Sequence, residues 1–393
     1  MHRYSFDRIS VLVLAHRRCL LRIELLLLLL SSIHYYNNVR EKNNLLRQAI
    51  LLPSASPWQH LWEKGDQQSF LLMTGVTREV FSMMLNILYS PYDRQQYLVK
   101  KGRPNSLLPH AELGLFLFFI GSTMNIRHLS LIFGAIPSVC SKVIRRLLTS
   151  VPRKLMSHEF AKVEFPNNEQ MAEFAAMIQA QEPIAIDVIG FMDGVALHLQ
   201  CTSETGEQNS MYNGYHSDTM VNNVIVYGAN GKVILCAINF PGSTHDGSIC
   251  ANILPIIRER IGVYKICVDQ GFPRRGDALN ILVGPMSKRS ARALSPLLRR
   301  YVLRLSNAYV SLRQASEWGM RCLQGSFPRI KRRLPSCKKK RRRVLESIIL
   351  IHNFRTHLIG RNQITAVFDP EYENIINIEG YDRIARYYNS YYE

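Results

Sequence analysis

The sequence lacks paired cysteines. Its eight cysteines stand singly along the 393 residues, and no two of them form a Cys-x-x-Cys pair. Zinc ribbons and the disulfide frameworks of small secreted proteins both need cysteines at close, regular spacing. The pattern therefore argues against both classes and favours reduced thiols in an intracellular protein.

Long apolar runs are scarce near the N-terminus. In the segment 10–30 the longest uninterrupted apolar run is Leu25–Leu30, and charged residues stand at positions 17, 18, 22 and 24 just before it. A membrane span needs about 20 apolar residues, and a signal peptide needs a longer apolar core followed by a small-residue cleavage site. We therefore interpret residues 1–56 as a leucine-rich helix or a poorly ordered leader, and we expect no membrane segment.

Acidic residues are few. Lys and Arg number 49 against 30 Asp and Glu, which gives a formal net charge of +19. Such an excess favours a polyanionic partner, and a cationic surface attracts nucleic acid. The length and the 47% hydrophobic content are enough for a substantial core and predict two domains.

The shortage of acids is most marked between Lys288 and Arg343, where 18 Lys or Arg accompany a single acid, Glu317. The simplest reason for a lone carboxylate there is that it holds a metal ion while the surrounding bases hold phosphates. The run 329–343 is typical of nuclear-import or nucleic-acid-binding segments, although a solvated charge run is the alternative. Its candidate nucleic-acid ligands are Lys338, Lys339, Lys340, Arg341, Arg342 and Arg343.

Three aspartates lie at predicted strand ends or just beyond them: Asp193 in FMDG, Asp246 in STHDG and Asp269 in VDQG. Mg²⁺ and Mn²⁺ prefer carboxylate oxygens, and a pair of such ions catalyses phosphodiester chemistry. These aspartates and Glu317 are therefore candidate metal ligands. Two alternatives stay open, since Asp246 could cap the helix that follows it, and Asp187 competes with Asp193, although Gly194 favours Asp193.

The order of elements from 183 to 358 predicts a mixed α/β sheet flanked by helices. A strand over 184–200 precedes a hairpin over 221–240, whose Asn-Gly turn is a strong hairpin signal. A helix, a buried strand ending in Asp269 and a short strand at 281–286 follow. Helices are then predicted over 288–304, 307–324 and 343–358.

The part before the sheet is predicted to be helical from 57 to 150, with a connector over 151–182. Residues 125–151 predict a short helix, a turn at Gly134–Ile136, Pro137 at a first helical position and a second helix. This is the outline of a helix-turn-helix whose second helix exposes residues able to reach DNA, although a plain packing helix is the alternative. Those residues are Ser138, Ser141, Lys142, Arg145 and Arg146, of which the three basic ones are the candidate nucleic-acid ligands. The tail 359–393 is rich in tyrosine.

Several motifs together resemble the nuclease domain of PIF/Harbinger-type transposases and the Harbinger-derived nuclease, from about Pro183 to Thr356. They are FMDG, YNGYHSD, the Asn-Gly hairpin, FPGSTHDGSI, VDQGFP, the helix that carries Glu317, and IHNF. Val195 and Gln270 depart from the residues usual in the family, and the interval between the last two acids is long. In YNGYHSD, Tyr212, Asn213 and Tyr215 could line a nucleic-acid groove, or serve only as a polar connection between strands.

This resemblance implies an RNase H-like fold and a metal-dependent DNA endonuclease or transposase. It implies a DDE triad at Asp193, Asp269 and Glu317 that binds Mg²⁺ or Mn²⁺, with Asp246 as a fourth candidate ligand. It also implies a preceding helix-turn-helix, action in the nucleus and often a separate Myb-like partner protein. The alternative is a domesticated or decayed copy that binds DNA without catalysis.

Overall fold

The computed structural model describes residues 3–43, 45, 47–89, 106–360 and 362–368. The first part of this structure is helical. The segment that contains Leu25–Leu30 is one long helix whose leucines are exposed. The helices before the sheet are α1 (Arg3–Asn43), α2 (Pro57–Lys64), α3 (Gln67–Thr74), α4 (Arg78–Leu88), α5 (Pro109–Ile120), α6 (Ile126–Phe133), α7 (Pro137–Leu155) and α8 (Asn168–Gln181).

Local signals determine the bounds of α6 and α7. The side chain of Asn125 caps α6 by accepting the backbone N–H of His128 at 3.1 Å. Gly134 ends that helix in the left-handed region, with φ of 64°, which glycine adopts without steric cost. Pro137 then begins α7. The two predicted helices and their turn are therefore present, while DNA binding by α7 stays a prediction.

The α/β region contains a six-stranded mixed sheet flanked by helices. Its strands run in the order β2–β3–β1–β5–β6, and β4 also pairs with β3. The pairs of β1 with β3 and of β3 with β4 are antiparallel, whereas β1, β5 and β6 are parallel. The strands are β1 (Val188–His198), β2 (Tyr212–Asn213), β3 (Asp218–Gly228), β4 (Val233–Pro241), β5 (Lys265–Val268) and β6 (Leu282–Val283).

The helices of this region cover the sheet. They are α9 (Thr205–Met211), α10 (Asp246–Ile261), α11 (Lys288–Arg292), α12 (Pro296–Ser326), α13 (Lys338–Ile359) and α14 (Gln363–Phe368). Helix α12 is continuous where a break was predicted at 305–306. Ser306 is buried there, and its hydroxyl accepts the N–H of Met286 at 3.0 Å. Residues 363–368, assigned from sequence to the tail, form α14, where Phe368 stacks on Phe191 of β1. The rest of the predicted tail, 369–393, lies outside the described residues.

Small residues let α12 approach the sheet closely. Ala315, Ser316 and Gly319 are buried on the sheet side of this helix. A Cβ at position 319 would stand 2.8 Å from the ring of Tyr227 on β3, which is closer than real Cβ contacts come. The close packing brings Glu317, one residue after Ser316, to the same part of the sheet as Asp193.

In the described residues no single helix is long and apolar enough to cross a membrane. Helices α3 and α4 pass that test only as a pair bent by 53°. Phe70 of α3 and Phe81 and Met84 of α4 are fully buried in the protein core.

Candidate active site

Asp193 and Asp269 belong to neighbouring strands. Asp193 lies within β1 opposite Ile225 of β3, and Asp269 follows the last residue of β5. Because β1 and β5 are parallel and Met192 pairs with Val268, the two aspartates lie at the same level of the sheet. The N–H of Gly194 donates to Asp193 Oδ1 at 2.8 Å, and Ser316 Oγ of α12 lies 3.3 Å from Oδ2. Asp193 is therefore held on two sides.

Asp246 reaches the same place from the first residue of α10. Its carboxylate lies against Gly194, so closely that a Cβ at position 194 would collide with it. The N-cap residue of α10 is His245, which makes no side-chain capping bond. The alternative role of Asp246 as the N-cap is therefore wrong. The Gly194 that follows Asp193 in the sequence provides the space in which the Asp246 carboxylate packs against β1.

Glu317 is joined to Asp269 by an arginine that the sequence did not single out. Arg313 Nη1 lies 3.6 Å from Asp269 Oδ1, and its Nη2 lies 3.0 Å from Glu317 Oε1. Arg321 Nη2 is a further 3.9 Å from Glu317 Oε2. Arg313 and Glu317 are one helical turn apart on α12, the spacing at which side chains of a helix meet. All four predicted acids thus surround one region, and a guanidinium lies between two of them.

The pKa values reflect crowded, poorly hydrated carboxylates. Burial raises the pKa of Asp193 to about 6, and the charge of Asp269 adds to this effect, against the hydrogen bond from the N–H of Gly194. Burial also raises the pKa of Asp246, again with a contribution from Asp269. Repulsion of this kind is relieved by a cation. The site therefore favours a positively charged ligand.

The donor set suits a hard divalent ion, because every candidate ligand is a carboxylate. Among the described residues, however, no three His, Cys, Asp or Glu side chains come close enough together to hold one ion. Mg²⁺ is commonly bound by one or two carboxylates together with waters and substrate phosphates. Pairs drawn from these four acids meet that requirement, with substrate supplying the remaining ligands.

Two cavities flank the acids. One, of about 540 Å³, is bordered by Gly194, Asp246 and the segment 212–216. The other, of about 1430 Å³, is bordered by the segment 270–275, the start of α10 and the face of α12 that includes Tyr309. His245 lies in the wall of both cavities. The two cavities therefore adjoin at His245, the residue before Asp246.

Asp187, the alternative to Asp193, lies elsewhere. It precedes β1 in the left-handed region with φ of 64°, and its carboxylate lies 3.3 Å from Lys265 Nζ. Lys265 begins β5 while Asp269 follows that strand's end. Asp187 therefore takes part in a structural ion pair at the opposite end of the parallel strands.

Replacing Gly194 with Ala is expected to damage the site without touching an acid. The added methyl must displace the Asp246 carboxylate, and changes that misplace a metal ligand typically cost 10- to 100-fold in metal affinity or activity. We expect Mn²⁺ affinity, measured by calorimetry, to fall about 10-fold. Gly206→Ala is the control, because a Cβ there meets nothing within 4 Å. Equal Mn²⁺ affinity in the two variants would show that Asp246 binds no metal.

The predicted nucleic-acid residues divide into exposed and structural groups. Lys338, Lys339 and Lys340 are exposed in the first turn of α13. Lys142 and Arg145 of α7 are exposed as well. These five, together with Arg343, which is half-buried, keep the predicted role as a proposal.

Arg341 is the clear correction to that set. Its side chain is fully buried, its Nε donates to Asn239 Oδ1, and its Nη1 donates to the carbonyls of Pro335 and Ser336. Its predicted contact with nucleic acid is therefore wrong, because a phosphate cannot reach it. Two others are engaged at the surface: Arg342 Nε donates to Glu346 at 2.7 Å, and Arg146 pairs with the buried carboxylate of Glu112.

The earlier half of the basic run is also structural. Arg329 lies over the ring of Phe119 and donates to the carbonyl of Met124, and Arg332 donates to the carbonyl of Thr123. Arg333 donates through both terminal nitrogens to Asp218. Arg329 and Arg332 fasten the α/β region to the helical region, while Arg333 forms a bond within the α/β region, so these arginines do not form a free charged loop.

Comparison with known proteins gives one match. Residues 192–353 match the sequence model for the DDE superfamily endonuclease family. No curated protein and no solved structure matches the chain. The match covers Asp193, Asp246, Asp269 and Glu317 and supports placing the α/β region in the DDE endonuclease superfamily. That superfamily implies an RNase H-like fold, which agrees with a mixed sheet flanked by helices, and it supports a transposase- or nuclease-like function.

Proposed function

We propose that the protein is a divalent-metal-dependent DNA endonuclease or transposase of the PIF/Harbinger type. The observation that carries the proposal is the grouping of Asp193, Asp246 and Asp269 at one level of the sheet, within a region that matches a DDE endonuclease family. Glu317 joins them through Arg313. DNA is the proposed substrate, and the net charge of +19 supports it.

The proposed mechanism assigns a task to each residue. Asp193 and Asp269 would hold or flank two Mg²⁺ or Mn²⁺ ions, with Asp246 and Glu317 completing the sites. When bound, these ions supply Lewis-acid catalysis at the phosphodiester. The N–H of Gly194 and the hydroxyl of Ser316 orient the Asp193 carboxylate. In strand cleavage water attacks the phosphorus, the P–O3′ bond breaks, and the 3′-oxygen leaves as a hydroxyl after taking up a proton. In transposition that 3′-hydroxyl attacks a phosphorus of target DNA and displaces its 3′-oxygen.

Arg313 has a separate proposed role. Its guanidinium offsets the charges of Asp269 and Glu317 and holds them in place before substrate binds. Arginine is well suited to this task because its planar guanidinium can donate to two carboxylates at once. With divalent ions bound at Asp269 and Glu317, the same guanidinium would be available to contact a DNA phosphate.

The setting proposed for this activity is the nucleus, where a Myb-like protein would assist DNA recognition. The exposed lysines at the start of α13, the basic residues of α7 and the Lys/Arg-rich helices around Glu317 would contact the DNA backbone. Fractionation of cells that express a tagged chain, with and without the exposed Lys338, Lys339 and Lys340 replaced by glutamine, tests the nuclear assignment. Exclusion of the unchanged chain from nuclei would contradict it.

The direct test of the proposed activity is nicking of supercoiled plasmid by the purified full chain. We expect nicks with Mn²⁺ or Mg²⁺ and none with EDTA. The assay is run with and without a Myb-like partner. Absence of cleavage with either metal in both arms, together with retained DNA binding, would reject the enzyme.

A non-catalytic DNA-binding protein is the second candidate. One observation favours it: Arg313 forms ion pairs with two of the four acids, as in an ordinary structural salt bridge. Mn²⁺ binding separates the two candidates, because an inert core whose acids are neutralised by arginines has no need of a cation.

Replacing Lys338, Lys339 and Lys340 with glutamine is expected to weaken DNA binding uniformly across sequences. Each phosphate contact contributes about 0.9 to the slope of log affinity against log salt, so the slope should fall by about 2 to 3. Fluorescence anisotropy over a salt series measures it. Arg17, Arg18 and Arg22 replaced together are the control, because this removes equal charge from exposed positions of α1. Equal slopes for both triple variants would contradict a phosphate-binding role of α13.

A further inference from the structure

The smaller cavity beside the acids, here called the tyrosine groove, has an unusual lining for a protein of net charge +19. One wall is the segment 212–216, the other is 242–246, and Gly194, Ala196 and Asn222 complete it. The lining contains no Lys or Arg and includes one carboxylate, that of Asp246. A phosphate would therefore be disfavoured in this groove, whereas a neutral, planar group would not.

An aromatic side chain is displayed at the mouth of the groove. Tyr215 is 91% exposed, and Tyr212 is 49% exposed. The turn that carries Tyr215 is well fixed, because Asn213 Oδ1 accepts the N–H groups of Tyr215 and His216 at 3.0 and 3.2 Å. Asn213 Nδ2 in turn donates to the carbonyl of Gly242 across the groove, at 2.9 Å. A structured turn thus presents a tyrosine ring to solvent.

Asn222 lies in the wall with its amide held by hydrogen bonds. Its side chain is 6% exposed, and its Nδ2 donates to the carbonyls of Gly242 and Thr244 at 3.2 and 2.8 Å. These two carbonyls fix the orientation of the amide, because the reverse orientation would place Asn222 Oδ1 against the two carbonyl oxygens. Asn222 Oδ1 is buried and accepts no hydrogen bond from the described residues. Because this atom has almost no exposed surface, Asn222 contributes a fixed, uncharged part of the wall and not a contact to a ligand.

We propose that the tyrosine groove binds one unpaired nucleobase of the DNA strand whose phosphate lies at the acids. The base stacks on Tyr215, with Tyr212 beside it, against a lining that carries no Lys or Arg. The proposal rests on the proposed DNA-cleaving function and deepens it: the substrate is DNA with an unpaired or unstacked nucleotide next to the cleavage position. A volume of about 540 Å³ lies within the range of sites that hold small molecules.

Stacking gives this subsite a measurable effect. Base–aromatic stacking is tolerant of sequence and is removed by substitution with alanine. Tyr215→Ala is expected to leave the fold intact, because so exposed a ring contributes little buried area and its ring contact is with the neighbouring His216. Tyr215→Trp keeps an aromatic face and serves as the rescue variant. Tyr36→Ala on α1 is the matched control, since Tyr36 is 65% exposed and distant in sequence from the groove.

The test measures binding of the full chain, in EDTA, to two DNA probes by anisotropy and by 2-aminopurine fluorescence. One probe is a blunt duplex, and the other carries a short single-stranded overhang with 2-aminopurine, made with either polarity. We expect Tyr215→Ala to weaken overhang binding about 10-fold and to abolish the fluorescence quenching. Tyr215→Trp should restore both, and the blunt duplex should bind all variants equally.

Two results would overturn the subsite: equal affinity of the wild type and Tyr215→Ala for the overhang probe, or equal weakening for both probes. Because EDTA prevents metal-dependent cleavage, these outcomes are independent of catalysis. Loss of plasmid nicking with intact overhang binding would reject the proposed function alone. Intact plasmid nicking, together with overhang binding that Tyr215→Ala does not weaken, would reject the base subsite alone.

Discussion

Replacing Asp193 with Asn is expected to stabilise the metal-free protein while abolishing its metal response. In the folded protein the pKa of Asp193 is about 6, above its ordinary 3.8. The folded state therefore binds more protons than the unfolded state between these values, and stability is lost as pH rises through this window. At pH 7.5 the charged Asp193 costs about 3 kcal/mol, which Asn removes while keeping the bond from the N–H of Gly194.

The measurement is urea unfolding at pH 4 and pH 7.5, with EDTA and then with Mn²⁺. We expect the stability gain of the variant to be near zero at pH 4 and largest at pH 7.5. Mn²⁺ should raise the unfolding midpoint of the wild type only. Asp187→Asn is the control, because that acid begins the same strand and pairs with Lys265. A variant that is destabilised at pH 7.5, or still stabilised by Mn²⁺, would contradict a ligand role.

Replacing Glu317 with Gln is expected to stop DNA cleavage while DNA binding stays equal or becomes tighter. A lost metal ligand removes Lewis-acid stabilisation worth several kcal/mol, so cleavage should fall roughly 10³-fold or more. The same change removes one negative charge from a site that receives phosphate. It also releases Arg313 and Arg321, which then become available to DNA. Single-turnover nicking and anisotropy on the same preparation measure both effects.

The control is Glu346→Gln on α13. Glu346 is another half-buried helical glutamate with an arginine partner, Arg342, four residues before it. Among the described residues, its ion pair shares no arginine with those of Asp269 and Glu317. This control should change neither cleavage nor DNA binding. Cleavage by Glu317→Gln at the wild-type rate would remove Glu317 from the catalytic set.

The sheet could be predicted from sequence because its signals are local. The Asn-Gly turn is flanked by β-branched, apolar runs, and β3 and β4 form the predicted hairpin around Gly231, whose φ is 73°. The placement of Asp269 after β5 followed from the buried run before it. Convergence of the acids depended on more than local pattern, because it requires β1 and β5 to be parallel neighbours, and that expectation came from the family resemblance.

The interactions between distant side chains could not be predicted in this way. Nothing in the spacing of residues 288–343 distinguishes Arg313, which contacts two acids, or Arg341, which is buried, from the exposed lysines. The motif IHNF was recognised but not explained by sequence. In the structure, Asn353 bonds to both the N–H and the carbonyl of Val233 at the start of β4, and His352 Nε2 lies 3.2 Å from the carbonyl of Gly231. That motif stabilises the hairpin and takes no part in the site.

Binding of Mn²⁺ to the full chain tests the central claim most directly. Electron paramagnetic resonance of free Mn²⁺ at pH 7.5 reports how much of the ion the protein takes up, without requiring the correct DNA or a partner. We predict saturable uptake by the wild type, strongly weakened uptake by Asp269→Asn, and displacement by excess Mg²⁺. Uptake by the wild type no greater than that of Asp269→Asn would contradict the assignment of these acids to a metal-dependent nuclease.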